Sequence, residues 1–158
     1  MSGQSAHRYA KQFLAGWGAM DFNSHMANTA YLNMAADVRM AFFEEHGFPV
    51  AEFQKRGFGP VIRKDELEYF REVHLHQTVT VTLAVAAMRA DGTRFVLESE
   101  LFLPGGDRAA TVRSTGGWLD LSARKLMAPP QDLLDVLHQI PRAAHFEALP
   151  GRERRTPS

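Results

Sequence analysis

Between Asp21 and Asn28 the chain carries Asp21, Asn23, Ser24, His25 and Asn28, five polar side chains in eight positions. A carboxylate can attack a carbonyl carbon or draw a proton from water, and an imidazole can orient either partner. Aspartate has a reference pKa of ~3.9, so Asp21 is ionised at neutral pH unless burial raises it strongly. Taken alone, Asp21 and Asn28 also read as ordinary turn and helix-cap residues, and His25 as a structural hydrogen-bonding histidine. Asp21, Ser24 and His25 are the residue types of a hydrolytic triad. Three residues this close in one loop do not reach that geometry, and no nucleophile-elbow motif is present. His74 and His76 stand at the spacing of one strand face, where they could grip a metal. No third ligand with metal-site spacing accompanies them, and no metal is expected. The chain has no cysteine, which removes disulfides, thiol nucleophiles and thiolate metal sites.

What must position this cluster is a helix. Tyr31, Leu32, Met34, Ala35, Val38, Phe42 and Phe43 fill most of a helical circumference, while Asn33, Asp37 and Glu44 share one narrow polar stripe. A helix apolar over most of its girth is buried on several sides. Asn28 reads as its N-cap and Gly47 as its stop, a span of about 18 residues at 3.6 per turn. Arg39 on this helix needs an acidic partner, with Glu66 or Glu68 on a strand as the expected ones.

Around the helix the pattern is extended. Arg8 to Trp17 reads as a strand, and residues 47–59, with Gly47, Pro49, Gly57 and Gly59, read as a linker. Val79, Val81, Leu83 and Val85 alternate with Thr78, Thr80 and Thr82 in period two. Asp91-Gly92 marks a hairpin turn, residues 104–107 mark another, and Arg108 to Leu121 makes a further strand. Residues 129–140 read as a short amphipathic helix, and residues 150–158 as a disordered tail. The order is strand, long helix, then about four strands. One helix buried on most sides requires a strongly curved antiparallel sheet around it, hence an α+β fold in one domain spanning 1–158, with its core at about 8–140.

Eighteen basic and eighteen acidic side chains leave a formal net charge of zero, which argues against general nucleic-acid binding. No stretch approaches the ~20 apolar residues of a membrane span, and the start lacks a signal-peptide pattern. A soluble cytoplasmic protein with no membrane partner is the expectation.

The stretch from Met20 to Phe43 resembles the hot dog fold thioesterases of the 4-hydroxybenzoyl-CoA thioesterase type. Their pattern is close to D-x-x-G-H-x-N-N-x-x-Y-L, followed by an acidic residue and an arginine two later; here Asp21, His25, Asn28, Tyr31, Leu32, Asp37 and Arg39 fall in register. The usual glycine before the histidine is Ser24, and the first asparagine of the pair is Ala27. The resemblance covers about Arg8 to Leu137. It implies a hot dog fold, a curved antiparallel sheet wrapped around one long central helix. It implies acyl-CoA thioester hydrolysis, with Asp21 as nucleophile or general base. The backbone N–H of Asn28 would polarise the thioester carbonyl, His25 would orient substrate or water, and Ser24 and Tyr31 would contact substrate. Coenzyme A enters as part of the substrate and no separate cofactor is implied. The partner implied is a second copy, in a homodimer or a dimer of dimers forming a homotetramer. Two alternatives on the same fold are an acyl-CoA binding protein without activity and an enoyl-CoA hydratase. The hydratase motif, D-x-N-P-x-H, is only approximated, since His25 lies four residues after Asp21 and the proline is absent.

Overall fold

The computed structural model describes residues 8–151. Residues 1–7, and residues 152–158 of the tail expected to be disordered, lie outside the described residues. Strand β1 (Tyr9–Leu14) leads through a single 3₁₀ turn (Trp17–Ala19) to helix α1 (Asn28–Glu45). Then come α2 (Val50–Arg56), β2 (Phe58–Tyr69), β3 (Thr78–Arg89), β4 (Phe95–Phe102), β5 (Arg108–Asp120), β6 (Lys125–Met127), α3 (Gln131–Leu137) and β7 (Arg142–Leu149). The strands form one curved sheet in the order β1-β3-β4-β5-β2, with β6 added to β5 and β7 to β3. β7 runs parallel to β3; every other pairing is antiparallel. β3 is shared end to end, because β1 pairs with residues 78–83 and β7 with residues 85–89. This is the α+β hot dog architecture expected, with α1 as the filling.

Helix α1 follows the apolar pattern of its sequence. Tyr31, Met34, Ala35, Val38, Phe42 and Phe43 are buried, and Asn33, Asp37 and Glu44 are exposed. Gly47 follows at φ 88, a left-handed position that glycine takes without a Cβ clash. Three expectations change. The N-cap is Ala27, and Asn28 is the first helical residue. The stretch read as a linker contains α2, whose seven residues sit between Pro49 and Gly57. Among the described residues six strands follow α1, and the sheet continues to Leu149, past the expected end of the core near 140.

Arg39 is buried and faces the charge of Asp65, not Glu66 or Glu68. Alternation along β2 explains the shift by one position. Asp65, itself exposed, accepts a 2.6 Å hydrogen bond from buried Ser114, while Glu66 pairs with Lys64 and Arg113 on the other side of the strand. Burial lowers the Arg39 pKa from its usual value, and the Asp65 charge opposes that shift.

At the far end of α1, Trp118 is fully buried against Phe43, Phe53, Phe58 and Phe95 and donates its indole N–H to Gly92 O at 3.1 Å. Gly116 beside it is required by contact: a Cβ there would stand 2.2 Å from Val61 O.

Candidate active site

Residues 21–25 close on themselves in a tight turn. The Asp21 N–H donates to His25 O at 2.7 Å, and Asp21 Oδ1 accepts from the backbone N–H groups of Asn23 (2.8 Å) and His25 (3.1 Å). Ser24 takes φ 60 to complete the turn. The Asp21 side chain therefore organises its own loop and does not cap α1. It also lines a cleft of about 550 Å³ together with His25, Met26, Asn28 and Tyr31 from its own side. The opposite wall is Tyr69, Phe70, Arg71 and Glu72.

The start of α1 forms the floor. Met26 N–H donates to Val73 O and Ala27 N–H to Ala19 O, which fixes the approach of the chain. Ala27 offers no side-chain cap, and among the described residues the N–H of Asn28 has no acceptor. The first turn of a helix carries orphan donors and the positive end of the helix dipole. Here the first residue of that turn, Asn28, lines the same cleft as Asp21. The Asn28 carbonyl is held by the Tyr69 hydroxyl at 2.8 Å.

His25 turns its Nε2 toward Glu72 Oε2 at 3.3 Å and packs edge to face on His74, with ring centroids 5.0 Å apart. Tyr31 is buried, meets Tyr69 edge to face at 5.0 Å, and has its pKa raised first by burial. The structure thus brings Asp21, His25, Asn28 and Tyr31 into one cleft. Ser24 is exposed on the turn and does not line it. Glu72, Tyr69 and Phe70 join the site without any mark in the sequence, since nothing in their spacing relates them to Asp21. The segment carrying His74 and His76 is not a regular strand. His76 sits at φ 68, so the chain bends there and the two rings do not share a face.

Other aromatic side chains are dispersed. Phe58 belongs to the core, Trp17 and Phe22 are 70% and 103% exposed, and Phe13 borders a separate cavity of about 320 Å³ beside Thr29 and Asn33. Of the basic residues, Arg71 pairs with Asp107, Lys64 with Glu66 and Arg113 with Glu98. Arg63, Arg89 and Arg94 instead line a third cavity, of about 260 Å³, beside Gly116 and Gly117.

The sequence model of the thioesterase-like superfamily matches residues 15–137. No curated protein matches the chain. Among solved structures, a hypothetical protein from Staphylococcus aureus in complex with CoA is similar with a TM-score of 0.77 and 20% identity, over 95% of this chain and 100% of that one. A 1,4-dihydroxy-2-naphthoyl-CoA thioesterase from Synechocystis gives a TM-score of 0.76 at 14% identity, over 84% and 96%. YbaW, a probable thioesterase from Escherichia coli, gives 0.70 at 22%, over 84% and 98%. These likenesses establish a shared fold.

Proposed function

This chain belongs to the thioesterase-like superfamily and is a thioester hydrolase; we propose that it cleaves acyl-coenzyme A, with Asp21 as nucleophile or general base. The observation that carries this reading is the pairing of the Asp21 carboxylate with the unclaimed N–H of Asn28 across one cleft. A fatty-acyl or aryl thioester carbonyl placed between them meets negative charge at carbon and a donor at oxygen. As base, Asp21 takes a proton from water and hydroxide adds to the carbonyl carbon. As nucleophile, its carboxylate adds directly and water then cleaves the resulting anhydride. Either way the oxyanion forms against the Asn28 N–H, and removing a donor of that kind costs roughly 10²–10³ in rate. The C–S bond then breaks. Coenzyme A leaves as a thiolate, a good leaving group that needs no strong general acid, and takes up a proton from solvent. His25 orients water or substrate, Tyr31 forms the inner wall, and Ser24, outside the cleft lining, completes the turn that presents Asp21.

The functional unit in this proposal is a cytoplasmic homodimer or dimer of dimers, each chain acting as one hot dog domain. β2 is an edge of the sheet and needs a partner. Antiparallel pairing of two β2 strands would bring the Phe58 end of one chain, with Val61 and Arg63 behind it, toward the Tyr69 end of the other. The arginine cavity would then approach the partner's Asp21 cleft, where it could receive the coenzyme A phosphates.

The deciding experiment is release of free thiol from short-, medium- and long-chain and aryl acyl-CoAs by wild type and Asp21→Asn. The absence of cysteine gives a thiol-reactive dye no protein background. Turnover that falls roughly 10²–10⁴-fold in folded Asp21→Asn supports the mechanism. Tight acyl-CoA binding with no turnover in the wild type would point to a binding protein, and hydration of an enoyl-CoA to a hydratase.

A further inference from the structure

His25, Glu72 and His74 each offer one ligand atom to a common volume, and those atoms lie within 4.8 Å of one another. The arrangement comes from the backbone. His25 and His74 are directly opposed in an antiparallel bridge, and the adjoining Met26 N–H donates to Val73 O at 2.8 Å. Opposed residues in such a pair hold their Cβ atoms ~4.5–5.5 Å apart on one side. Glu72, two residues before His74, returns to that side of an extended chain. Gln77 fixes the far end, its Oε1 accepting the His74 N–H at 2.9 Å.

One of the three separations already matches a small cation. His25 Nε2 and Glu72 Oε2 are 3.3 Å apart. Two ligands of a tetrahedral zinc ion, with bonds of ~2.0–2.1 Å, also stand about 3.3 Å apart. His74 is exposed, and its ligand nitrogen lies within 4.8 Å of both other ligand atoms. Two neutral imidazoles and one carboxylate suit zinc and its neighbours, and disfavour magnesium and calcium, which take oxygen ligands. The Asp21 carboxylate lines the same cleft as His25 and Glu72 and adds attraction for a cation.

We propose that His25, Glu72 and His74 form a three-ligand site for a zinc-class divalent cation, and that occupying it slows hydrolysis by claiming His25. The second half rests on the role given to His25 above. An imidazole whose Nε2 holds a cation cannot orient water or substrate.

The test uses untagged full-length protein. Zn²⁺ is titrated in competition with a chromophoric chelator, and Co²⁺ is followed by its visible d–d absorption. One ion per chain is expected. His74→Ala and Glu72→Gln should each weaken binding by at least about tenfold, since even residues behind the ligands commonly change metal affinity 10–100-fold. Absence of stoichiometric binding, or binding unchanged in both variants, overturns the site. Acyl-CoA hydrolysis is followed by thioester absorbance, because released thiol itself binds zinc. Wild-type turnover should fall on adding zinc and return with a chelator, while the turnover of His74→Ala, whatever its own basal value, should not respond to zinc. Unchanged turnover in zinc-saturated wild type overturns the brake and leaves the site. A wild type that hydrolyses no acyl-CoA sinks the hydrolase proposal, and the titration still decides the metal site.

Discussion

At the residue scale, the turn that presents Asp21 depends on a left-handed residue at position 24, and this chain puts serine there. An L-residue in that region costs roughly 1–2 kcal/mol, and glycine does not incur it. Ser24→Gly should therefore raise stability by a few tenths to about 1 kcal/mol, less than the full strain because glycine also loosens the unfolded chain. A denaturant melt measures it, and no change would mean that the turn is not under strain. Asp21 was legible because its residue type and its spacing to His25 and Asn28 are local. Glu72 was not, because it reaches the site through a bridge between segments some fifty residues apart in the chain, and side-chain type alone does not encode that pairing. The partner of Arg39 was missed by one position for a related reason: a strand's register decides which acidic residue faces the arginine.

At the scale of elements, the first turn of α1 lacks a cap where one would be favourable. Serine at an N-cap typically stabilises by about 0.5–2 kcal/mol relative to alanine. Ala27→Ser should raise the melting temperature and leave turnover nearly unchanged, because an N-cap hydroxyl takes the N–H of Thr29 or Ala30 and leaves that of Asn28 to the carbonyl. A turnover that falls several-fold in the folded variant would mean that the oxyanion rests on a donor deeper in the first turn. At the other end of α1, Glu45 accepts a hydrogen bond from the Tyr9 hydroxyl at 2.9 Å and pairs with Lys11, tying β1 to the helix. The hydrogen bond from Lys11 and then that from Tyr9 hold the Glu45 pKa below its usual 4.5. A depressed folded-state pKa stabilises above the unfolded value, and that contribution fades as pH falls through the folded one. The melting temperature of Glu45→Gln should lie below wild type at neutral pH, with the gap shrinking below about pH 4.5. A gap constant with pH would refute the coupling. Long elements with a clear period, α1 and β3 above all, were legible in sequence. Helix α2 was not, since its boundary glycine and proline look like loop, and the three residues of β6 are too few to show a period.

At the scale of the molecule, the arginine cavity meets β2 at Val61 and Arg63 and the Asp21 cleft meets it at Tyr69, and only association would unite them. Arg94→Ala should raise KM for acyl-CoA several-fold, and leave KM unchanged for the corresponding acyl-pantetheine, which lacks the nucleotide phosphates. Equal effects on both substrates would place the phosphates elsewhere. The gross architecture was legible because one helix buried on nearly every side demands a sheet that wraps it.

The division of β3 between β1 and β7 bears on how the chain is born. Synthesis proceeds from the N-terminus, so β1 can dock on its half of β3 soon after that strand leaves the ribosome. The other half stays bare until β4, β5, β6 and α3 have been made and β7 emerges. For that interval a nascent chain displays unpaired N–H and C=O groups beside Val85 and Met88, a template that another unfinished chain could join. The interval in which this protein is most exposed to aggregation is therefore late in translation, after most of its core has already formed.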